Sequence, residues 1–78
     1  SVAPALPINN QPLIDPVSDR ELEVLRLIAQ GATNQETALA LHIAVGTVKN
    51  HLKNIYRKLD VHNRTQAIAH SRELRLID

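Results

Sequence analysis

Lys49, Asn50, Lys53 and Arg57 recur within the run from Val45 to Leu59, and no carboxylate appears in that run until Asp60 follows it. If Val48 marks the inward direction and the run is helical, at about 100° per residue, Gly46, Asn50, Lys53 and Arg57 lie on the opposite face. Lys49 and Asn54 flank them. Such a face offers amide, ammonium and guanidinium groups. An Asn amide can pair bidentately with adenine, and Lys can donate to guanine O6 and N7. Solvated surface helices usually mix both signs of charge, whereas this face carries one.

The charge of the whole chain hides this asymmetry. The net charge is +1. Residues 1–45 set Arg20 and Arg26 against Asp15, Asp19, Glu21, Glu23 and Glu36. Residues 46–65 set Lys49, Lys53, Arg57, Lys58 and Arg64 against Asp60 alone, and residues 66–78 balance. Positive charge gathered on one element is the electrostatic footprint of a nucleic-acid binder.

The elements that must hold this face follow from caps and periodicity. Ser18 with Glu21 forms a capping box, in which each side chain satisfies a backbone N–H that the first helical turn leaves orphaned. Leu22, Val24, Leu25 and Ile28 recur behind it, and Gly31 supplies a left-handed stop, so a first helix spans about 19–30. Thr33 and Glu36 repeat the spacing and open a second helix at 34–41, with Ala38 and Leu41 inward. A third helix runs over 45–59, its stripe of Val48, Leu52, Ile55 and Leu59 stepping at helical period. Asn63 with Gln66 opens a fourth over 64–74, with Ala67, Ile68 and Leu74 inward. No strand signal intervenes, so the fold class is all-α, a four-helix bundle.

Helices 2 and 3 are separated only by His42, Ile43 and Ala44. Two short helices so close must cross, the small Ala38 suits the crossing, and Ile43 plugs the angle. This is the helix-turn-helix arrangement in which the second helix enters a major groove. The starts of helices 2 and 3, at Thr33, Asn34 and Thr47, present N–H groups and a positive dipole end suited to phosphates. For Thr33 the N-cap role comes first.

Residues 1–17 carry all four prolines and read as a linker or tail, the cut end of a longer protein; residues 18–78 form the domain. The chain lacks Cys, which excludes disulfides and thiolate metal sites. No apolar run is long enough to span a membrane. His42, His51, His62 and His70 are scattered and do not make a metal site, with His51 reading as a half-buried structural residue. There is no Gly-rich phosphate loop and no paired buried acids, so neither a cofactor nor an enzyme is expected. The rival reading is a small helical protein-interaction or dimerisation module, using an exposed apolar face of Ile68, Leu74, Leu76 and Ile77.

The run Ser18-Asp19-Arg20-Glu21-Leu22-Glu23-Val24-Leu25 resembles the opening of LuxR-type (NarL/FixJ-type) DNA-binding domains. Thr47-Val48-Lys49-Asn50-His51-Leu52, Asn54-Ile55-Tyr56-Arg57-Lys58-Leu59 and Arg64-Thr65-Gln66-Ala67 are similar to the same family in order and spacing. The resemblance covers about residues 17–76. It implies double-stranded DNA as the partner, with base contacts from Lys49, Asn50 and Lys53. It implies phosphate contacts from Thr33, Asn34, Thr47, Asn54, Arg57 and Lys58. It further implies homodimers through helix 4, RNA polymerase as a further partner, and a cytoplasmic, nucleoid-associated output domain of a bacterial transcription regulator. Among the family's parents, the Pro12-Leu13-Ile14-Asp15-Pro16 run and the Arg64–Leu74 ending look most like the large ATP-dependent regulators. Two positions depart from the family. Thr37 stands where a large aliphatic side chain is usual, and its hydroxyl is expected to bond the Thr33 carbonyl. Ala44 stands where Ser usually caps helix 3, a loss of about 1 kcal/mol.

Overall fold

Each helix starts where a side chain can satisfy its first N–H groups, with one exception. In a computed structural model of the chain, which describes residues 15–78, α1 spans Asp19–Ala29, α2 Asn34–Leu41, α3 Val45–Leu59 and α4 Arg64–Glu73. The capping boxes at Ser18 and Thr33 are both complete. At α4 the Asn63 side chain accepts from the Gln66 N–H at 2.9 Å, but the Gln66 side-chain oxygen accepts from the His62 N–H at 2.8 Å rather than closing the box. Ala44, the N-cap position of α3, supplies no side-chain hydrogen bond, as the sequence indicates.

All four helices end alike. Gly31, His42, Asp60 and Arg75 have positive φ, and the next N–H reaches back five residues. The bonds are Ala32 to Leu27, Ile43 to Ala38, Val61 to Tyr56 and Leu76 to Ser71, at 2.9–3.1 Å. This is the Schellman arrangement, in which an apolar residue after the left-handed position packs back on the helix. Ile43, Val61 and Leu76 all pack against the core. Ile43 thus holds the turn between α2 and α3, as its type and place imply.

The core is Val24, Leu25 and Ile28 of α1, Ala38 of α2, Val48, Leu52, Ile55 and Leu59 of α3, Ala67 of α4, and Ile77. Helix α3 packs on each of the other three, so its inward stripe is clamped while its far side is left open.

Three expectations fail here. The first concerns Leu74, which is 43% exposed. Ser71 takes the buried place instead, satisfied by donating to the Ala67 carbonyl at 2.6 Å, and the chain beyond the Arg75 turn brings in Ile77 to finish the core. The second concerns Thr37. It is fully buried, yet its hydroxyl bonds nothing; its backbone N–H, not its side chain, reaches the Thr33 carbonyl at 2.8 Å. The third is the apolar face of helix 4. Ile77 is buried, Ile68 and Leu76 are half-buried, and only Leu74 stands out.

Candidate nucleic-acid interface

The stripe that seats α3 fixes its opposite side. Gly46, Thr47, Lys49, Asn50, Lys53 and Arg57 are exposed, and Asn54 is half-buried. Every acidic side chain of the chain falls within the described residues, and none pairs with Lys49 or Lys53. Helix α3 therefore presents a face with two ammonium groups and an amide that no other described residue engages. At Gly46 an added Cβ would meet no atom within 4 Å, so nothing inside the domain requires glycine there.

The cations at the far end of α3 are differently employed. Arg57 is exposed but donates to the Asp15 carboxylate at 3.1 Å. The Lys58 side chain is only 11% exposed. Its ammonium donates to Glu21 Oε1 at 2.7 Å and to the Pro16 carbonyl at 3.1 Å, with Asp15 at 3.9 Å. Glu21 also accepts from the Ser18 N–H at 2.9 Å, so one carboxylate closes the cap of α1 and binds α3. Burial alone would push the Glu21 carboxyl up. The Lys58 ammonium and the Ser18 donors outweigh it and hold the group below its ordinary value.

At the start of α2, Thr33 and Glu36 satisfy each other's backbone N–H groups at 3.0 and 2.8 Å. Thr33 is thus an N-cap first, as expected. Asn34 is half-buried, and its side-chain oxygen accepts from Arg64, whose guanidinium also donates to the Ala32 carbonyl at 3.0 Å. Lys49, Thr33, Asn34 and Arg64 line one open concavity. Sequence reasoning gave Arg64, Glu21 and Asp15 no part beside the site. Glu21 had a signal in its capping box, but its partner lies 37 residues away, beyond the reach of local spacing.

Among the described residues, no cluster of three His, Asp or Glu is placed to hold a metal ion. His51 is half-buried, and His70 lies 3.0 Å from Glu73 on α4. No helix among the described residues is long and apolar enough to cross a membrane.

Comparison with known proteins agrees with this arrangement. Residues 15–71 match the model of the bacterial regulatory proteins of the luxR family. The chain is similar to the response regulator protein VraR of Staphylococcus aureus, 48% identical over 65 residues, which cover 83% of the chain and 31% of that protein. The figures are the same for VraR of Staphylococcus epidermidis. Among solved structures, the response regulator ChrA of a heme-sensing two-component system superposes with a TM-score of 0.79 at 48% identity, covering 81% of this chain and 31% of ChrA. The transcription factor GerE superposes with a TM-score of 0.75 at 31% identity, covering 78% of this chain and 91% of GerE. The chain thus spans about a third of the length of the response regulators it matches. These relatives are response regulators, in contrast to the ATP-dependent parent that the linker and helix 4 ending resemble. The four-helix fold, the open face of α3 and the family match over most of the chain agree: it belongs to the luxR family of bacterial regulatory proteins, which regulate transcription by binding DNA and are not enzymes.

Proposed function

We propose that the chain binds double-stranded DNA sequence-specifically by inserting α3 into the major groove. The observation that carries this reading is the outward face of α3, where Lys49, Asn50 and Lys53 are exposed together with no carboxylate paired to either lysine. Lys49, Asn50 and Lys53 read base edges in this scheme. Thr33, Asn34, Thr47, Asn54 and Arg57 hold phosphates. Lys58 belongs with them by position, but its ammonium is engaged with Glu21 and Pro16, so its part is to seat α3.

Residues 18–78 are the DNA-binding output domain of a longer bacterial regulator, and residues 1–17 the linker to it. Residues 1–14 of that linker lie outside the described residues, while Val17 packs against the core. The relatives favour a response regulator as the parent. The domain acts in the cytoplasm, at the nucleoid, as a homodimer through α4, with RNA polymerase as a further partner. The interaction-module alternative loses its main support, because α4 and the tail leave only Leu74 as a large exposed apolar side chain.

Affinity for duplex DNA measured across a salt series tests the reading. Log K should fall linearly with log salt, with a slope of about 0.9 per phosphate engaged. Asn50→Ala or Lys53→Ala should cost about 1–3 kcal/mol on the specific site and relax base preference. Arg57→Ala should weaken all sequences equally. A flat salt response would overturn the proposal.

A further inference from the structure

We propose that Arg64 is a positioning residue for a backbone contact, one that fixes the Asn34 amide as a hydrogen-bond donor toward phosphate. The inference rests on the DNA-binding reading above. Arg64 opens α4 but reaches across to the segment between α1 and α2. One terminal nitrogen donates to the Ala32 carbonyl at 3.0 Å and the other to Asn34 Oδ1. Arg64 is half-buried, and none of the chain's acidic side chains pairs with it. Its fork is therefore spent on two neutral acceptors.

The consequence follows from donor and acceptor inventories. A guanidinium has only donors, whereas an amide carries an oxygen that accepts and a nitrogen that donates. Facing Arg64, Asn34 must offer its oxygen. Its two N–H bonds are left to point elsewhere, and Asn34 shares a concavity with Lys49 and Arg64 whose lining contains no carboxylate. A phosphate oxygen can only accept. An amide free to turn over would present the wrong atom part of the time, and Arg64 removes that freedom. The bond to Ala32 holds the backbone on which Asn34 sits, so position and orientation are set by one side chain.

A double-mutant cycle on DNA affinity tests this, with thermal melting run in parallel and binding measured where every variant is folded. Asn34→Ala should weaken binding about three- to tenfold, the worth of one such hydrogen bond, on specific and unrelated duplexes alike. Arg64→Ala should lose a similar factor, and the double variant no more than either single. Arg64→Lys keeps the charge but lacks the fork, so it should behave as Arg64→Ala does. Wild-type affinity in Arg64→Lys, or additive losses in the double variant, would overturn the proposal, because Arg64 would then act by its own charge. Unchanged affinity in Asn34→Ala would overturn it too, even if the Arg64 variants do not fold. Failure of the wild-type chain to bind duplex DNA would overturn the DNA-binding reading instead.

Discussion

Replacing Lys58 by Met separates a cation that builds the domain from one that meets DNA. The Lys58 ammonium lies 2.7 Å from Glu21, with the two side chains 11% and 6% exposed. Met keeps most of the aliphatic stem and removes the charge, leaving the Glu21 carboxylate in its enclosed site without a cation. Breaking one side of such a pair costs about 3 kcal/mol, the low end for a buried pair because this bond is only part-buried. A domain of this size melts roughly 4–8 °C lower for each kcal/mol lost, so the midpoint should fall by about 12–24 °C on the same basis. Without Lys58 the carboxylate loses the strongest influence that holds its pKa down against burial, so acid, which in the wild type abolishes a favourable pair, costs the variant less. The deficit of Lys58→Met should therefore shrink at low pH, and Glu21→Gln in the same chain should restore much of the stability. Thermal melts at several pH values read all three effects. If Lys58→Met melted like the wild type but bound DNA weakly with a smaller salt slope, Lys58 would be a phosphate contact and the structural assignment would be wrong.

Three further outcomes follow from the same contacts. Thr37→Val should raise stability by about 1 kcal/mol, since it removes a fully buried hydroxyl with no partner at little change of shape; Thr37→Ser, which keeps the hydroxyl and deletes the methyl, should lower it in the same denaturant titration. Ala44→Ser should add about 1 kcal/mol by supplying the cap α3 lacks, and an unchanged melting midpoint would show that the free N–H groups there are already well solvated. Glu21 has a lowered folded pKa, so the stability it contributes is present above its ordinary value of 4.5 and is lost as pH falls through the lower folded value; Glu21→Gln should flatten that part of the stability profile.

The parts of the fold legible in the sequence are those written in local spacing. Ser18 with Glu21 and Thr33 with Glu36 mark helix starts because the bonds that define them span three residues. The stripe of α3 is legible for the same reason, and it fixes by exclusion which residues face outward. Stops are less visible. Gly31 is recognisable, but His42, Asp60 and Arg75 take the same left-handed conformation without glycine, each followed by the same backward N–H bond. At α4 the pattern misleads, because Ser71 is buried where Leu74 was expected. A hydroxyl that returns its proton to the preceding turn is nearly apolar to its neighbours, and a hydropathy pattern does not register that.

The same limit governs the candidate site. Counting charges treats Lys49, Lys53, Arg57, Lys58 and Arg64 as one basic face, but the tertiary contacts sort them by role. Lys58 and Arg64 reach to α1 and to the start of α2, 37 and 30 residues away. They tie the helix-turn-helix unit to the other helices. Arg57 is shared with Asp15 in an exposed pair, which contributes little to stability and can be exchanged for a phosphate at small cost. Lys49 and Lys53 are exposed and, among the described residues, pair with no carboxylate. Loss of affinity on removing a cation from residues 46–65 is therefore not one kind of evidence. At Lys53 it reports a contact, whereas at Lys58 or Arg64 it first reports the platform that holds the contact in place, and only a stability measurement made alongside distinguishes the two.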